Sequence, residues 1–260
     1  MVLGLDMGGS SLKVVSFDGT NVLSSARIPH RARGLDEVVR VLEAAIPPGE
    51  TFGIAVAGLV RGGVVLRSGS LGLVDAPLRD ALEARTGRKA EAFVSDAHAT
   101  GRAALLEEAS EEVVIALALG TGVGGAVLER GAIVRDEGLG HGTDAGEEAP
   151  APCALGHARC LEAHLGAAAL ARAGGVARAE DCPPAVLRAA GERLGRALAP
   201  LVLHRSAHPA LSKGRLVLSG GVAASSSLLE GASSTFPGPV VRARFGALTA
   251  AVGAALATRP

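Results

Sequence analysis

The sequence predicts an α/β protein built from two similar halves. Each half opens with short apolar segments typical of strands and continues with segments whose apolar residues recur at helical spacing. A glycine-rich turn follows the first strand of each half, at 6–11 and again at 119–125. The chain has 260 residues, which is enough for one large domain or two smaller ones.

The first half begins with three predicted strands joined by tight turns, and Asp18-Gly19 is a typical hairpin signal. Pro47-Pro48 ends the helix that follows, because proline cannot continue a helix. The predicted elements are strands at Val2–Leu5, Leu12–Phe17 and Asn21–Ile28, a helix at Leu35–Ile46, a strand at Phe52–Val56, a turn at Gly62-Gly63, a helix at Ala76–Thr86, a strand at Ala92–Ser95 and a helix at Ala97–Glu108.

The second half repeats the pattern of a meander followed by helices. Its predicted elements are strands at Val113–Leu119, Gly125–Leu128 and Ala132–Val134, an irregular segment at Gly138–Pro152, a mostly helical stretch to about His204, a strand at Leu216–Leu218 and a helix at Ala247–Ala257. This duplication is typical of the actin/hexokinase-like (ribonuclease H-like) fold, which has a cleft between two domains. We place the smaller domain at 1–109 with 244–260, and the larger domain at 110–243.

Composition excludes several classes of function. Lys and Arg total 26 and Asp and Glu total 26, so no basic surface for nucleic acid or an anionic membrane is expected. The longest uncharged run, Val113–Leu128, is short of the roughly 20 residues that a spanning helix needs. No basic segment follows Met1, and three cysteines do not suggest a disulfide framework. We therefore expect a cytoplasmic protein.

The first motif that carries chemistry is Asp6-Met7-Gly8-Gly9-Ser10-Ser11, between two strands. A hairpin of small residues exposes successive backbone N–H groups that can bind phosphate oxygens. Asp6 cannot bind phosphate directly, but it can hold Mg²⁺ that bridges the phosphates. Lys13 is near enough in sequence to assist, or is simply solvated on its strand. Alone, the motif is equally consistent with an ordinary glycine-rich hairpin.

The second motif, Leu119 to Gly125, repeats this device in the second half through Gly120, Thr121, Gly122 and Gly124. Two such loops at equivalent places are hard to explain by turn chemistry alone. The pairing therefore favours phosphate binding over plain turns.

The third motif is Val94-Ser95-Asp96-Ala97, where a strand ends and a helix begins. Asp96 has two interpretations. It is a helix N-cap, or it accepts the proton of a hydroxyl during phosphoryl transfer.

The fourth motif is the group His141, Cys153, His157 and Cys160, whose imidazoles and thiolates suit structural Zn²⁺. The alternative is two incidental buried cysteines with surface histidines. Cys182 lies too far along the chain to join this group, and we interpret it as structural.

Together these motifs resemble the ROK family of bacterial glucokinases, N-acetylhexosamine and allose kinases and related sugar-responsive repressors. The resemblance covers almost the whole chain. The matching stretches are Asp6–Ser10 (D-x-G-G-T in the family), Gly53–Gly58 (G-I-x-x-P-G), Ser68–Leu71 with Pro77-Leu78 (P-N-L…P-L), Ser95–Ala97 (N-D-A), Leu119–Gly142 (L-G-T-G-x-G-G to G-H), Cys153–Glu162 (C-x-C-G-x-x-G-C-x-E) and Leu216–Val222 (I-V-L-G-G-G-V). The repressors carry an N-terminal helix-turn-helix, and its absence here favours the kinase branch.

The resemblance implies ATP and Mg²⁺ as cofactors, a homodimer, and roles for individual residues. Asp96 takes the place of the catalytic base, and His141 that of a residue that both ligates zinc and contacts the sugar. Gly220 and Gly221 take positions beside the adenosine. The positions of the sugar contacts are occupied by Ser70, Leu71, Ser95, Asp96, His141 and Glu162.

Four departures from the family pattern bear on the sugar and metal sites. Ser70 and Ser95 replace asparagines, and Gly138 replaces the glutamate of E-x-G-H. Each of these sugar-contact positions has lost a longer polar side chain, so plain glucose in the usual pose is in doubt. Leu155 replaces the middle cysteine and cannot bind zinc. His157, two residues further on, is the substitute that we expect, which gives a His₂Cys₂ site.

We therefore expect ATP-dependent phosphorylation of a hydroxyl of a hexose or N-acetylhexosamine. Three alternatives remain: a non-catalytic sugar or nucleotide sensor, an ATPase activator or acyl-group kinase of the same fold, and polyphosphate as the donor. The acyl-group kinases lack the zinc-loop pattern seen from His141 to Glu162.

Overall fold

A computed structural model describes residues 1–106, 113–203 and 214–259. The chain forms two compact units. Unit 1 comprises Met1–Ala103 and Leu248–Pro260, and unit 2 comprises Ala104–Ala247. The end of the helix predicted at Ala97–Glu108 and the region near His204 lie partly outside the described residues.

Unit 1 contains a five-stranded mixed sheet, a small three-stranded antiparallel sheet and helices. Its elements up to the middle of the chain are β1 (Val2–Met7), β2 (Ser11–Phe17), β3 (Val22–Pro29), α1 (Leu35–Ala45), β4 (Phe52–Val56), β5 (Leu59–Arg61), β6 (Val64–Ser68), β7 (Leu73–Ala76), α2 (Leu78–Thr86), β8 (Ala92–Ser95) and α3 (Asp96–Ala104). The large sheet has the order β3-β2-β1-β4-β8. Strands β1, β4 and β8 run parallel, and β2 and β3 complete an antiparallel meander.

Unit 2 has a second five-stranded mixed sheet. Its described elements are β9 (Val113–Leu119), β10 (Val123–Glu129), β11 (Ala132–Arg135), α4 (Leu139–Gly142), α5 (Leu161–Leu165), α6 (Ala167–Gly174), α7 (Pro184–Leu203), β12 (Arg215–Ser219), α8 (Ser226–Ser233) and β13 (Val240–Arg242). The sheet order is β11-β10-β9-β12-β13, with β9, β12 and β13 parallel. The long helix α7 packs against α8.

The two sheets have the same topology. In each sheet, three strands form an antiparallel meander. A fourth strand pairs in parallel with the first strand of the meander, and a fifth strand pairs in parallel with the fourth. The predicted duplication is therefore confirmed.

The last helix, α9 (Thr249–Leu256), belongs to unit 1. It packs against β1 and β4, the strands at the centre of the first sheet. Glycines permit this approach, because a Cβ on Gly4 would collide with the backbone of Ala251 and a Cβ on Gly53 with that of Ala254. Both ends of the chain thus build the same core.

Several predicted boundaries need correction. The helix predicted from Ala76 begins at Leu78, because Ala76 pairs with Val65 as the end of β7. The strand predicted from Gly125 begins at Val123, which pairs with Leu119. Neither α8 nor β13 was predicted. Among the described residues, no helix is long and apolar enough to cross a membrane.

Candidate active site

The carboxyl ends of three parallel strands form one edge of the sheet in unit 1. Met7 lies beside Val56, and Val56 beside Ser95, in the registers of β1, β4 and β8. The residues that follow these strand ends therefore come together. Ligands of open α/β sheets bind at such an edge, and here it carries Asp6, the first glycine loop, Gly58 and Asp96.

Asp6 is 4% exposed and pairs with Lys13 across the β1–β2 ladder. The Lys13 Nζ lies 2.7 Å from the Asp6 Oδ2. Lys13 is therefore not simply solvated, because its charge offsets that of a buried carboxylate. Asp6 remains the residue of this edge suited to Mg²⁺, a hard cation that prefers oxygen ligands.

The first glycine loop turns tightly after β1, where the Gly8 N–H donates to the backbone oxygen of Ser11. Gly9 packs against the loop that carries Ser70, and a Cβ on Gly9 would lie 2.5 Å from the Cβ of Ser70. Ser10 is exposed, whereas Ser11 is buried and its Oγ accepts a hydrogen bond from Arg27. Gly8, Gly9 and Ser10 therefore form the accessible part of the loop.

The structure separates the two interpretations of Asp96. The Ser95 Oγ accepts the His98 N–H at 3.0 Å, which is the bond of an N-cap residue. Asp96 is the first residue of α3, and its Oδ1 accepts the Ala97 N–H at 2.9 Å. Ser95 therefore caps the helix.

The half-buried carboxyl of Asp96 has an unusual pKa. Desolvation and the nearby charge of Asp6 raise the pKa to about 7, although hydrogen bonds from Ala97 and Gly58 and the charge of Lys13 act in the opposite direction. A carboxylate that titrates near neutral pH is well matched to accept a proton from a hydroxyl.

One predicted sugar contact is reassigned. The side chain of Leu71 is fully buried in the apolar core of unit 1, with Leu73 and Leu78. We therefore assign Leu71 to the core rather than to a ligand site. Ser70, beside it, is half-buried and lies on the surface of a pocket.

The glycine loop of unit 2 also lies at a carboxyl edge. Strands β9 and β12 are parallel neighbours, so Gly120 to Gly124 and Gly220-Gly221 follow adjacent strand ends. Thr121 at the tip of the first of these turns is exposed. Gly220 has a φ of +94°, and a Cβ there would collide with the backbone oxygen of Leu119.

The side chain of Glu162 contacts both this loop and His141. Its Oε2 accepts the Val123 N–H at 3.1 Å and lies 3.6 Å from the His141 Nε2. A Cβ on Gly122 would lie 2.5 Å from the same oxygen, so glycine is required for this approach. Sequence reasoning named Glu162 and Gly122 separately but did not foresee their contact, which depends on the tertiary structure.

Four side chains in unit 2 could hold a metal ion. One ligand atom from each of His141, Cys153, His157 and Cys160 lies within 4.8 Å of all the others. Ligand atoms around one tetrahedral zinc are about 3.3–3.8 Å apart, and the Cys153 Sγ is 3.5 Å from the His141 Nδ1. The donor set therefore fits zinc. Burial and the neighbouring Cys153 raise the pKa of the Cys160 thiol.

Cys182 lies apart from this cluster. It is buried, and its Sγ donates to the backbone oxygen of Leu170 at 3.1 Å, which agrees with a structural role.

Two sheets of identical topology, each with a glycine loop at its carboxyl edge, define the actin-like ATPase fold. Within that fold the sequence matches the ROK family over residues 2–256, and the chain belongs to this family. It is similar to the ROK hexokinase from Thermus thermophilus, with 31% sequence identity, a TM-score of 0.69, and coverage of 98% of this chain and 97% of that chain.

Two further structures share the fold. A ROK family glucokinase from Streptomyces griseus, in complex with glucose and AMPPNP, has a TM-score of 0.81 and 20% identity over 98% of this chain and 97% of that chain. A ROK family transcriptional regulator, described as a homologue of the E. coli MLC protein, has a TM-score of 0.71 and 19% identity over 99% of this chain and 77% of that chain. No curated protein sequence resembles the chain at a significant level.

Proposed function

We propose that this protein transfers the γ-phosphoryl group of ATP to a hydroxyl of a hexose or N-acetylhexosamine, with Asp96 as the general base. One observation carries the proposal. The Asp96 carboxyl, whose pKa is raised to about 7, lies at the same strand edge as Asp6 and the first glycine loop, while Ser95 caps the helix.

The reaction needs a base at the attacking oxygen. The sugar oxygen forms a bond to the γ-phosphorus as the bond from that phosphorus to the ADP oxygen breaks, and the hydroxyl proton passes to Asp96. A carboxylate with a raised pKa is a stronger base than an ordinary aspartate, which favours this transfer. The hydrogen bonds from Ala97 and Gly58 orient the carboxylate.

The phosphates of the donor require positive charge and N–H donors. Asp6 is the residue that would hold Mg²⁺, which neutralises phosphate charge when bound. The Gly8, Gly120 and Val123 N–H groups donate within the protein. The backbone N–H groups of Gly9 in unit 1, and of Thr121 and Gly122 in unit 2, are therefore the ones proposed for phosphate oxygens. Gly220 and Gly221, at the next strand end, are proposed to lie beside the nucleotide.

Sugar recognition is proposed for Ser70, Ser95, His141 and Glu162. The contact between Glu162 and His141 supports a shared role for the last two. The cluster of His141 with Cys153, His157 and Cys160 is proposed to hold a structural zinc ion. When bound, zinc would fix the imidazole of His141 through its Nδ1, the atom that faces Cys153.

The direct test is a coupled ADP-release assay with hexoses, hexosamines and N-acetylhexosamines. Asp96→Asn is expected to fold normally and to lower kcat at least about a hundredfold, the low end for general-base catalysis. Asp80→Asn is the matched control, because Asp80 is an exposed aspartate in the first turn of α2. Wild-type turnover in a folded Asp96→Asn protein would remove Asp96 from the catalytic role.

The non-catalytic sensor is the second candidate, and the shortened side chains at Ser70, Ser95 and Gly138 favour it. Calorimetry distinguishes it from the kinase. A protein that binds ATP and a sugar, but forms no ADP from ATP and no sugar phosphate from polyphosphate, would be a sensor.

A further inference from the structure

Unit 1 contains a pocket of about 680 Å³ next to the first glycine loop. Gly9, Ser10 and Ser70 form the side that the proposed function uses. The remaining wall is Pro29, His30, Arg31 and Arg33, from the end of β3 and the segment that leads to α1. Three basic side chains thus line a pocket beside the proposed reaction site, and neither the phosphate loops nor the base requires them.

The two arginines are free of acidic partners. Arg31 is exposed, and within residues 1–106, 113–203 and 214–259 neither guanidinium group lies within ion-pairing distance of a carboxylate. Arg33 donates from its Nη2 to the backbone oxygen of Gly69 at 2.9 Å, which holds it against the turn that carries Ser70. The Glu37 carboxylate accepts the backbone N–H of Arg33 rather than its side chain. The pocket therefore keeps its positive charge.

His30 adds an unused hydrogen-bond donor. Its Nδ1 accepts the Ala32 N–H at 3.2 Å, so the ring hydrogen of the neutral imidazole lies on Nε2. The Nε2 is buried and has no hydrogen-bond partner among the described residues. A buried donor without an acceptor is unfavourable. Because His30 lines the pocket, a shift of this wall on binding would expose the donor to an oxygen of the ligand.

We propose that this pocket binds an anionic group of the acceptor, so that the preferred substrate is a sugar acid or a sugar phosphate rather than a neutral sugar. The inference rests on the proposed function, which places the acceptor beside Ser70. Guanidinium groups recognise carboxylate and phosphate oxygens through charge-assisted hydrogen bonds, and the donor at His30 completes the set. A neutral hexose needs none of these charges.

Isothermal titration calorimetry on the full chain tests the proposal with glucose, glucuronate and glucose 1-phosphate. At least one anionic sugar is expected to bind about tenfold or more tightly than glucose, and the difference should shrink as salt is added, because salt screens exposed charges. Equal affinities of all three ligands would overturn the proposal.

Two variants locate the effect. Arg31→Ala removes an exposed charge, and His30→Asn retains an acceptor for the Ala32 N–H but loses the donor at Nε2. Each is expected to weaken binding of the anionic sugar about tenfold and to leave glucose binding unchanged. Arg40→Ala is the control, because Arg40 is an exposed arginine of α1 in an ion pair with Asp36. Unchanged anion binding in both variants would overturn the assignment.

Titration with polyphosphate tests whether the pocket binds the phosphoryl donor instead of the sugar acceptor. If both variants weaken polyphosphate binding but not anionic sugar binding, the pocket serves the donor and the proposal is wrong. Failure of the proposed function gives a different result. Anionic sugars would then bind through Arg31 and His30, but no ADP would be released from ATP with any sugar.

Discussion

At Asp96, opposing influences act on one carboxyl group. Desolvation and the charge of Asp6 raise its pKa to about 7, and this outweighs two backbone hydrogen bonds and the charge of Lys13. Near neutral pH the group is therefore present in both protonation states. Only the carboxylate can accept the hydroxyl proton, so the protonated fraction should be inactive.

The pH dependence of kcat/KM follows from this pKa. Activity is expected to rise with pH through about pH 7 and to fall about tenfold per pH unit well below it. Initial rates with a confirmed substrate between pH 5 and pH 9 measure the effect. A profile that stays flat from pH 5.5 to pH 8 would contradict Asp96 as a base with a raised pKa.

Stability should respond in the opposite direction. Because the pKa of Asp96 is raised on folding, the folded state keeps its proton between about pH 4 and pH 7 while the unfolded state loses it. The free energy of unfolding therefore falls as pH rises through this window. Asp96→Asn removes this ionisation, so its Tm relative to the wild type should be higher at pH 8 than at pH 4. If the Tm difference between Asp96→Asn and the wild type were the same at both pH values, the pKa of Asp96 would not be raised on folding.

Sequence reasoning identified Asp96 but could not explain its environment. The decisive partners are Gly58 and Asp6, which the parallel registers of β1, β4 and β8 bring to Asp96. Such registers depend on pairing between distant segments, and no local pattern reveals them. For the same reason, Leu71 was expected at the sugar although its side chain fills the core.

In the segment from His141 to Cys160, local turns bring the four candidate zinc ligands together. The Cys153 N–H donates to the His157 backbone oxygen in a short turn, and Cys160 follows in a bridge with Asp144. This turn brings His157 close to the other three ligand atoms although Leu155 stands at the family's ligand position. Sequence reasoning predicted that these four side chains form one site, and the structure places their ligand atoms together. The turn that does so depends on backbone hydrogen bonds, which the residue types alone do not reveal.

Metal analysis tests this cluster. Protein purified without chelator is expected to contain about one zinc ion per chain. Cys160→Ser should abolish zinc binding, and His157→Ala should weaken it about tenfold or more. His164→Ala is the control, because the His164 imidazole contacts the Glu147 backbone oxygen instead.

Zinc removal should also weaken the binding of the two substrates, sugar and ATP, to different extents. His141 lies beside Glu162, so loss of zinc is expected to weaken sugar binding more than ATP binding. A metal-free protein with full activity would show that Leu155 has abolished the site.

At the scale of the whole chain, duplication is the feature that sequence predicted best. The meanders and glycine turns recur at a regular place in each half, because strand alternation and turn chemistry are local signals. The helix α8 and the edge strand β13 were not predicted. Both are short, and their stability comes from packing against α7 and β12 rather than from their own sequence.

The first strand and the last helix meet in unit 1, so small changes at their contact should destabilise the protein. Gly4→Ala and Gly53→Ala each place a methyl group against the backbone of α9. Overpacking of this kind costs about 1–3 kcal/mol, which corresponds to a decrease in Tm of about 2–12 °C for a chain of this size. Differential scanning calorimetry measures it.

Gly120→Ala provides the contrast. A Cβ on Gly120 meets no atom within 4 Å, so its Tm should stay within about 2 °C of the wild type. The added methyl group nevertheless lies on the loop proposed to bind phosphate, where larger side chains hold the ligand away, so KM for ATP should rise. If Gly4→Ala and Gly53→Ala left Tm unchanged, α9 would pack less closely against β1 and β4 than in the structure. If Gly120→Ala bound ATP normally, the second glycine loop would be a turn without a role in phosphate binding.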